Sequence, residues 1–376
     1  MDKSKWEYKK LGEVATFERG LTYSKKDESD SSTKGVLRSN NIDLDSHQLV
    51  FDEIKWLNET FEIPQSKKLA KDSIFICMSN GSKTHLGKVA FIDKDYDYAF
   101  GGFMGMIKPL NIYPKYLFYY FLSKEYRDGL EQIGKGANIN NLRFAQLANF
   151  MIPNPITEVQ QRIVAELDCL NEMIALKQEQ LNEFDKLAQS IFYDMFGDPI
   201  SNEKGWGKLK MKDICEIIAG GDKPDNLSVI KTDDYCYPVI ANGDGDKGIL
   251  GYSRTRRVVK DSVTIGARGA SIGNCRIVYG GFTPVVRLIS LTPNDQVNCI
   301  YLYYFAKQMP YFSTEAGQAQ LTVPNVKMVT IPLPPLELQQ QFAEKIQAIE
   351  AQKELVKQGI AETQQLLDSR MDYYFD

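Results

Sequence analysis

The feature that most constrains the fold is a long-range repeat: the chain carries much of its pattern twice. Residues 6–15 are echoed by residues 206–215, each with a tryptophan, a basic stretch and a short amphipathic turn. Residues 152–161, IPNPITEVQQ, are matched by residues 331–340, IPLPPLELQQ. Three further pairs lie between these in the same order: residues 72–76 and 261–265, 101–104 and 280–283, and 116–121 and 301–305. The unit is too long for a solenoid, so the sequence predicts a duplicated domain.

Each copy is followed by a helical pattern. In residues 163–195, positions spaced by four and three are apolar with the single exception of Lys177, and residues 342–374 repeat this register more weakly. Such a stripe predicts a long helix that packs against a partner helix. Forty residues at 1.5 Å each would form a rod of roughly 60 Å. We favour an intramolecular antiparallel pair, with a buried core helix or a homodimer zipper as alternatives.

These patterns predict an α+β fold: two α/β domains separated by two long antiparallel helices that form a coiled-coil spacer, with an internal pseudo-two-fold repeat. The predicted parts are a first domain, a central helix, a second domain and a C-terminal helix. Their expected boundaries are 1–156, 157–196, 197–335 and 336–376.

Composition narrows the compartment and the chemistry. Hydrophobic residues make up 43% of the chain and charged residues 25%, as in ordinary globular proteins. No secretory signal or membrane span is expected. The six cysteines form no CxxC pair, which indicates reduced thiols in a cytoplasmic protein. Only two histidines are present, so a histidine metal site or a histidine-centred catalytic triad is not expected.

Enzyme motifs are also missing. Residues 81–84, GSKT, lack the spacing of a phosphate-binding loop. Residues 154–157, NPIT, do not match the Asn/Asp-Pro-Pro-aromatic motif of base methyltransferases, and residues 53–55, EIK, lack the preceding Pro-Asp of a nuclease site. We therefore predict no catalytic residues and no metal site.

The charge distribution separates the helices from the rest. Residues 157–196 carry eight acids and three bases, and residues 336–372 carry seven acids and four bases. These helices therefore sum to −8, which leaves +4 elsewhere in a chain whose net charge is −4. An acidic helix is most simply a solvated face, whereas mildly basic domains are compatible with nucleic acid.

Basic, amide and hydroxyl residues cluster in loop-like stretches of both domains. Arg, Lys, Asn and Gln can read base edges, and Ser and Thr can bind phosphates. Any one such loop is more often an ordinary surface turn, but their recurrence in both copies favours DNA binding. The candidates in the first domain are Lys25, Lys26, Arg38, Ser39, Asn40, Asn80, Ser82, Lys83, Thr84, Lys135, Asn138 and Asn140. Those in the second are Asn242, Lys247, Arg254, Arg256, Arg257, Arg268, Gln318 and Gln320.

Taken together, these features resemble the DNA-specificity subunit of type I restriction-modification systems. The resemblance rests on the duplicated tryptophan openings, on the two Ile-Pro-x-Pro segments with Glu-x-Gln-Gln, and on residues 192–199, FYDMFGDP, before Trp206. It covers nearly the whole chain.

The resemblance implies a function. Each domain would be a target-recognition domain that reads one half of a bipartite, asymmetric site in double-stranded DNA, with the helices as spacer. The subunit would carry no catalytic residues or cofactor of its own. It would dock two methylation subunits, which bring S-adenosylmethionine, and restriction subunits, which use ATP and magnesium.

Two other classes stay open at this stage. One is a non-DNA scaffold in which two adaptor domains and a coiled coil hold other proteins. The other is a single-chain DNA-modifying enzyme, which the missing motifs disfavour. Within the DNA interpretation, a methylation-only system without a restriction partner is equally compatible with the sequence.

Overall fold

The computed structural model describes residues 3–134, 141–243, 248–269, 272–309 and 320–376. The chain divides into two compact units. The first comprises Met1–Leu176 together with Gly359–Asp376, and the second comprises Lys177–Gln358. The first unit is thus assembled from two separate stretches of sequence, whereas the second is continuous.

Short strands and helices precede the first long helix, α5. In chain order the elements are β1 Glu7–Lys10, α1 Leu11–Val14, β2 Ala15–Arg19, β3 Glu28–Ser29, β4 Lys34–Leu37, β5 Lys55–Leu57, β6 Ser73–Cys77, β7 Val89–Ile92, β8 Tyr98–Phe100, β9 Met104–Pro109, α2 Pro114–Tyr120, α3 Lys124–Gly134, α4 Phe144–Leu147, β10 Met151–Asn154 and α5 Thr157–Phe196. Strand β6 is buried along its whole length, as its apolar sequence SIFIC requires. Helix α5 ends at Phe196, and Gly197 then takes the left-handed conformation (φ 75°) common after a helix.

The second half follows the same plan and ends in a second long helix, α9. Its elements are β11 Lys208–Lys210, α6 Met211–Ile214, β12 Cys215–Ala219, β13 Tyr237–Ile240, β14 Ile249–Ser253, β15 Ser262–Gly266, β16 Cys275–Val278, β17 Thr283–Pro284, β18 Leu288–Pro293, α7 Cys299–Gln308, α8 Val323–Met328, β19 Thr330–Pro332 and α9 Leu336–Phe375. The Asn298 side chain caps α7 by accepting a hydrogen bond from the Ile300 amide (2.8 Å).

The sheets of the two units correspond, except that β3 in the smaller sheet of the first unit has no equivalent strand among the described residues of the second. Four strands pair in the order β2-β9-β6-β7 in the first unit and β12-β18-β15-β16 in the second. A smaller sheet places β8 parallel to β4 in the first unit and β17 parallel to β13 in the second. The two-stranded ladder β1-β10 is matched by β11-β19. The predicted mixture of helices and strands and its internal duplication are therefore confirmed.

The repeated sequence before each long helix forms a buried hydrogen-bonded network. Gln160 is 2% exposed; its Oε1 accepts from the Tyr113 amide (2.7 Å) and its Nε2 donates to the Pro155 carbonyl (2.7 Å). Gln339 makes the same pair of bonds with the Asn298 amide (2.9 Å) and the Pro334 carbonyl (2.9 Å). These glutamines satisfy backbone groups that burial would otherwise leave without partners.

A tyrosine supports the same junction in each unit. The Tyr116 hydroxyl donates to the Pro153 carbonyl (2.9 Å), and the Tyr301 hydroxyl donates to the Pro332 carbonyl (2.6 Å). Both rings are fully buried, so each tyrosine contributes apolar packing as well as a hydrogen bond. The matched segments of the sequence therefore have a structural role.

Each unit contains segments of both long helices. In the second unit Asp185 meets Lys353 (2.8 Å) and Phe192 packs against Phe342 (ring centroids 5.7 Å apart), so the two helices run in opposite directions there. In the first unit, Glu166 accepts a hydrogen bond from the Tyr374 hydroxyl (2.6 Å). Helix pairing within each unit is thus observed, while a coiled-coil spacer between domains and the predicted four-part division stay predictions.

None of the helices in the part of the chain that the structure describes combines the length and the apolar character needed to cross a bilayer.

Candidate nucleic-acid interface

Three loops of the first unit meet where β4 and β6 end. Asn80, in the loop after β6, donates from Nδ2 to Ser39 Oγ in the loop after β4 (3.1 Å). Ser79 forms an antiparallel bridge with Asn141, just before α4, and the Leu142 amide donates to the Met78 carbonyl (2.7 Å). We call residues 38–41, residues 79–84 and Asn141 the first loop cluster.

The second unit brings together the equivalent loops. Asn242, after β13, donates from Nδ2 to the Arg268 carbonyl after β15 (2.9 Å). Arg268 forms an antiparallel bridge with Gln320, and the Leu321 amide donates to the Ala267 carbonyl (2.9 Å). We call residues 241–243, residues 268–269 and Gln320 the second loop cluster. In the second unit, candidate residues from three separate parts of the sequence are thus neighbours. In the first unit, Ser39 and Asn80 come from two parts, and the third part contributes Asn141, which was not a candidate.

The first loop cluster borders a cleft of about 510 Å³. Four predicted residues line it, namely Lys25, Arg38, Ser39 and Asn40. The lining also includes Arg19, Tyr23, Glu28 and Phe103, so bases outnumber acids there. Lys26 is exposed beside this cleft without lining it. A positively biased cleft with amide and hydroxyl groups is suited to a polyanion that also offers hydrogen-bonding edges.

The surroundings of the cleft shift the pKa of Tyr23, one of its lining residues. Burial raises the pKa of the Tyr23 phenol, and the neighbouring positive charge of Arg38 partly offsets this. Tyr23 therefore remains a neutral hydrogen-bonding group at physiological pH. Arg38 Nη2 lies 3.4 Å from the Glu53 carbonyl, which is a long bond, and its Nε is buried without a hydrogen-bond partner among the described residues.

Buried polar groups hold the loop after β4. Asn41 is fully buried; its Oδ1 accepts from the Arg38 amide (2.9 Å), and its Nδ2 donates to the Val50 carbonyl (2.9 Å). Lys88, 2% exposed, donates from Nζ to the Ile42 carbonyl (2.7 Å). Burial lowers the pKa of Lys88. Sequence reasoning did not single out Lys88, because a lysine is normally exposed and nothing local indicates its burial.

The remaining predicted residues of the loop after β6 face solvent. Ser82, Lys83 and Thr84 are exposed, and the Ser82 and Thr84 hydroxyls are hydrogen-bonded to one another (2.7 Å). The Ser82 amide donates to Asn80 Oδ1 (2.9 Å), which closes a tight turn. This turn presents one base and two hydroxyls beside the cleft loops.

Two predicted arginines lie elsewhere in the second unit. Arg254 and Arg256 follow β14, and their guanidinium groups lie 4.8 Å from the ring centroids of Tyr235 and Tyr237. Strand β14 is antiparallel to β13, so these arginines are at the end of the strand pair opposite Asn242. Arg257 is also exposed, and its guanidinium approaches Gly221. Arg254 and Arg256 therefore lie away from the second loop cluster.

Five predicted residues have no structural description. Lys135, Asn138, Asn140, Lys247 and Gln318 lie outside the described residues. Asn141 and Gln320, which follow two of these segments, belong to the loop clusters.

Three exposed residues at these sites were not among the predictions. Arg19 lines the first cleft, with Nε 3.4 Å from the Gly102 carbonyl. Phe103 lines the same cleft, and Arg287 is exposed just before β18. Arg19 ends a strand and the other two each occupy a single turn position, so no cluster in the sequence marked them.

Among the described residues there is no cluster of metal-ligating side chains, and three of the six cysteines have thiols unsuited to nucleophilic chemistry. No group of three or more His, Cys, Asp or Glu side chains there could hold a metal ion. Burial raises the pKa of the Cys215, Cys275 and Cys299 thiols to about 12. These thiols are therefore protonated and poorly nucleophilic at neutral pH.

Comparisons with known proteins agree with this architecture. The family model described as "Type I restriction modification DNA specificity domain" matches residues 3–185 and again residues 203–365. The chain is 30% identical over 233 residues to a type I specificity subunit of Mycoplasma pneumoniae, which covers 61% of this chain and 63% of that relative. It is 28% identical over 215 residues to the EcoKI specificity subunit of Escherichia coli K12, covering 55% of this chain and 44% of that relative. The matched regions thus span less than two thirds of either relative.

A solved structure shares the fold. It comes from work on complex assembly and conformational transition of a type I R-M system, with a TM-score of 0.61 and 20% identity. The match covers 98% of this chain and 97% of that one. Two matches to the same family model, covering most of the sequence, also account for the duplication seen in the sheets and loop clusters. The chain belongs to the family of type I restriction-modification DNA specificity domains.

Proposed function

We propose that this chain is the DNA-specificity subunit of a type I restriction-modification complex. Each unit reads one half of a bipartite, asymmetric DNA site through its loop cluster. The observation that carries this proposal is the convergence, at the same strand ends in both units, of loops rich in basic and amide side chains. Family membership supplies the class of ligand, and the loops supply groups suited to it.

The two clusters differ in chemistry, so the two half-sites differ in sequence. The first presents Arg38, Asn40, Asn80 and Lys83, whereas the second presents Asn242, Arg268 and Gln320. Arginine favours guanine, and asparagine or glutamine favours adenine, because their donors and acceptors match those base edges in pairs. The chain itself performs no chemistry.

Catalysis belongs to partners in this proposal. The chain docks two methylation subunits, which carry S-adenosylmethionine, and restriction subunits, which use ATP and magnesium. The complex works in the cytoplasm, in keeping with six cysteines that are all free.

Mapping of methylated adenines tests the proposal. Host DNA is compared with and without the chain, in the presence of its methylation partner. Loss of one bipartite motif on removal of the chain is expected. Unchanged methylation would contradict the proposal and favour the scaffold interpretation, to be pursued through proteins that co-purify with the chain.

A matched pair of variants tests the loop assignment. Arg268→Ala removes a base of the second loop cluster and should alter one half-site only. Lys212→Ala removes an exposed base of α6, at the end of β12 opposite Gly220, and should leave the motif unchanged. If both variants altered the motif equally, the loop cluster would not be the reading surface.

The helices set the spacing between half-sites in this proposal. Insertion of seven residues into both α5 and α9 lengthens each by about 10 Å while nearly keeping the apolar stripe in register. The nonspecific gap should then widen by about three base pairs. The matched control places a seven-residue Gly/Ser insertion in the loop 200–205, where the gap should stay the same. An unchanged gap in the doubly extended chain would contradict a helical spacer.

Domain exchange tests independence of the units. Residues 1–150 contain the first loop cluster and leave both long helices in place. Their transfer into a related subunit should transplant one half-site. A change in both half-sites would show that the units do not read DNA separately.

A further inference from the structure

One turn lies at the same place beside each loop cluster and carries different side chains in the two units. It connects β8 to β9 in the first unit and β17 to β18 in the second. The Phe103 carbonyl accepts from the Met78 amide (2.9 Å), and the Arg287 carbonyl accepts from the Ala267 amide (2.8 Å). The residues that follow are matched too, since the Met104 and Leu288 carbonyls accept from the Gly20 and Gly220 amides (3.0 and 2.7 Å). Phe103 and Arg287 are therefore equivalent positions. The sequence match of residues 101–104 with residues 280–283 is accordingly wrong, because strand pairing makes Val285, and not Gly280, the equivalent of Gly101.

Phe103 is a large apolar side chain that is not buried in a hydrophobic core. It is 70% exposed, although it lines the cleft beside Arg38 and Asn40. An aromatic ring left in water contributes little to the core, and its surroundings are basic and polar. Its position indicates a role toward whatever occupies the cleft.

Arg287 combines a strained backbone with an exposed side chain. Its backbone takes the left-handed conformation (φ 64°), which disfavours any residue with a Cβ by about 1–2 kcal/mol. The side chain is exposed, and its guanidinium makes no hydrogen bond or ion pair with the described residues. Strain of this kind is retained most often at functional positions.

We propose that these two equivalent residues make the two half-sites different. Arg287 donates a bidentate pair of hydrogen bonds to O6 and N7 of a guanine in the second half-site. Phe103 packs against the C5 methyl group of a thymine in the first. Both contacts are made in the major groove, where guanine and thymine present those groups. This inference rests on the proposed function and adds the bases read at one position of each half-site.

Arg287→Gly is the first test because glycine accepts a positive φ. The variant removes the side chain and the strain together, so the melting temperature should hold or rise. In the complex of the full chain with its methylation partner, one G·C position of the second half-site should become degenerate. Discrimination there should fall by about 5- to 150-fold, the range of a bidentate pair. The rest of the motif should be retained.

Arg287→Lys separates base reading from phosphate binding. Lysine keeps the charge but lacks the planar fork, so a bidentate guanine contact is lost and a phosphate contact is kept. Loss of base discrimination at the same G·C position in both variants supports the proposal. An unchanged motif in either variant, or loss of all methylation at an unchanged melting temperature, overturns it for Arg287.

Replacing thymine by uracil in the mapped first half-site removes only the methyl group. The unaltered chain should methylate such DNA about fourfold more slowly, the cost of one lost apolar group. Phe103→Ala should methylate both substrates at the same rate. Leu110→Ala, an exposed apolar residue just beyond the other end of β9, should keep the fourfold difference. Equal rates for the unaltered chain at every thymine overturn the proposal for Phe103.

Failure of the proposed function is a separate outcome. In that case the unaltered chain would direct no bipartite motif at all. If it directs one and these variants leave it intact, only the assignment of Phe103 and Arg287 is wrong.

Discussion

Two regions of the molecule can be compared between the units: the junctions at the start of the long helices, and the loop clusters at the strand ends. The junctions are alike in both units, whereas the loop clusters differ. At the junctions, Gln160 and Gln339 make the same two hydrogen bonds. At the loop clusters, Ser39 and Asn80 are joined through side chains, whereas Asn242 bonds to the Arg268 backbone. A buried polar network tolerates little change, because each lost partner leaves a group unsatisfied. Loops anchored by backbone bonds can vary their side chains freely, so one scaffold can carry two specificities.

The largest effect should come from the aromatic packing beneath a junction. Phe192 is fully buried against Phe342 and Tyr301, so Phe192→Ala should lower the free energy of unfolding of the second unit by about 3–5 kcal/mol. Urea unfolding measures it. Leu187→Ala, on an exposed position of the same helix, should cost below about 0.5 kcal/mol. An equal loss of unfolding free energy in both variants would contradict the view that the buried junction, and not the helix surface, stabilises this unit.

A smaller effect should separate two neighbouring glutamines. Gln339→Ala removes the partner of the part-buried Asn298 amide and of the buried Pro334 carbonyl, which should lower the free energy of unfolding by about 2–3 kcal/mol. Gln340 is exposed and bonds only to the Asn298 side chain (3.1 Å), so Gln340→Ala should cost about 0.5 kcal/mol. Thermal unfolding of both variants measures the difference. Similar values would mean that the buried bonds are not what holds the junction.

Two asparagines sharpen the comparison inside the first loop cluster. Asn41→Ala removes buried hydrogen bonds within the loop, so it should lower the free energy of unfolding by about 1–2 kcal/mol. It should also reduce base discrimination in the first half-site. Asn40→Ala removes an exposed side chain of the cleft and should change the half-site without changing stability. The melting temperature and the methylation map are compared for each. If Asn40→Ala proved the more destabilising, the loop would be held differently from the structure.

The smallest effect concerns the end of α9 in the first unit. Burial, and then the negative charge of Asp376, raise the pKa of Glu125 above its ordinary value of 4.5. A raised carboxyl pKa means that the folded state binds protons more tightly than the unfolded state. The penalty on folding therefore appears as the pH rises through the raised pKa, and it vanishes below about 4.5.

Glu125→Gln should accordingly raise the melting temperature slightly at pH 7 and have no such benefit at pH 4. Glu131→Gln, an exposed position of the same helix, should change neither value. A stabilisation that persisted unchanged at pH 4 would show that charge is not its cause.

Much of the architecture could be predicted because its signals are periodic or repeated. The apolar stripe of residues 163–195 and the matched segments at 152–161 and 331–340 indicated long helices behind duplicated domains. The same segments carried the family resemblance, and both copies have the glutamine that makes the buried bonds of the junction. The loop candidates were harder to assign. Ser39, Asn80 and Arg268 lie at loop clusters, whereas Arg254 and Arg256 stack on tyrosines at the far end of a strand pair.

The sequence by itself determined the duplication, the helix-forming stripes and the polar character of the candidate loops, because each depends on local composition or spacing. Only the tertiary structure decided which loops meet. Asn80 reaches Ser39 and Arg268 pairs with Gln320 across 41 and 52 residues, through strand pairings that no local pattern specifies. It also decided that Lys88 is buried and that Arg287 is strained. Burial and backbone conformation at single positions are set by what the rest of the chain packs around them.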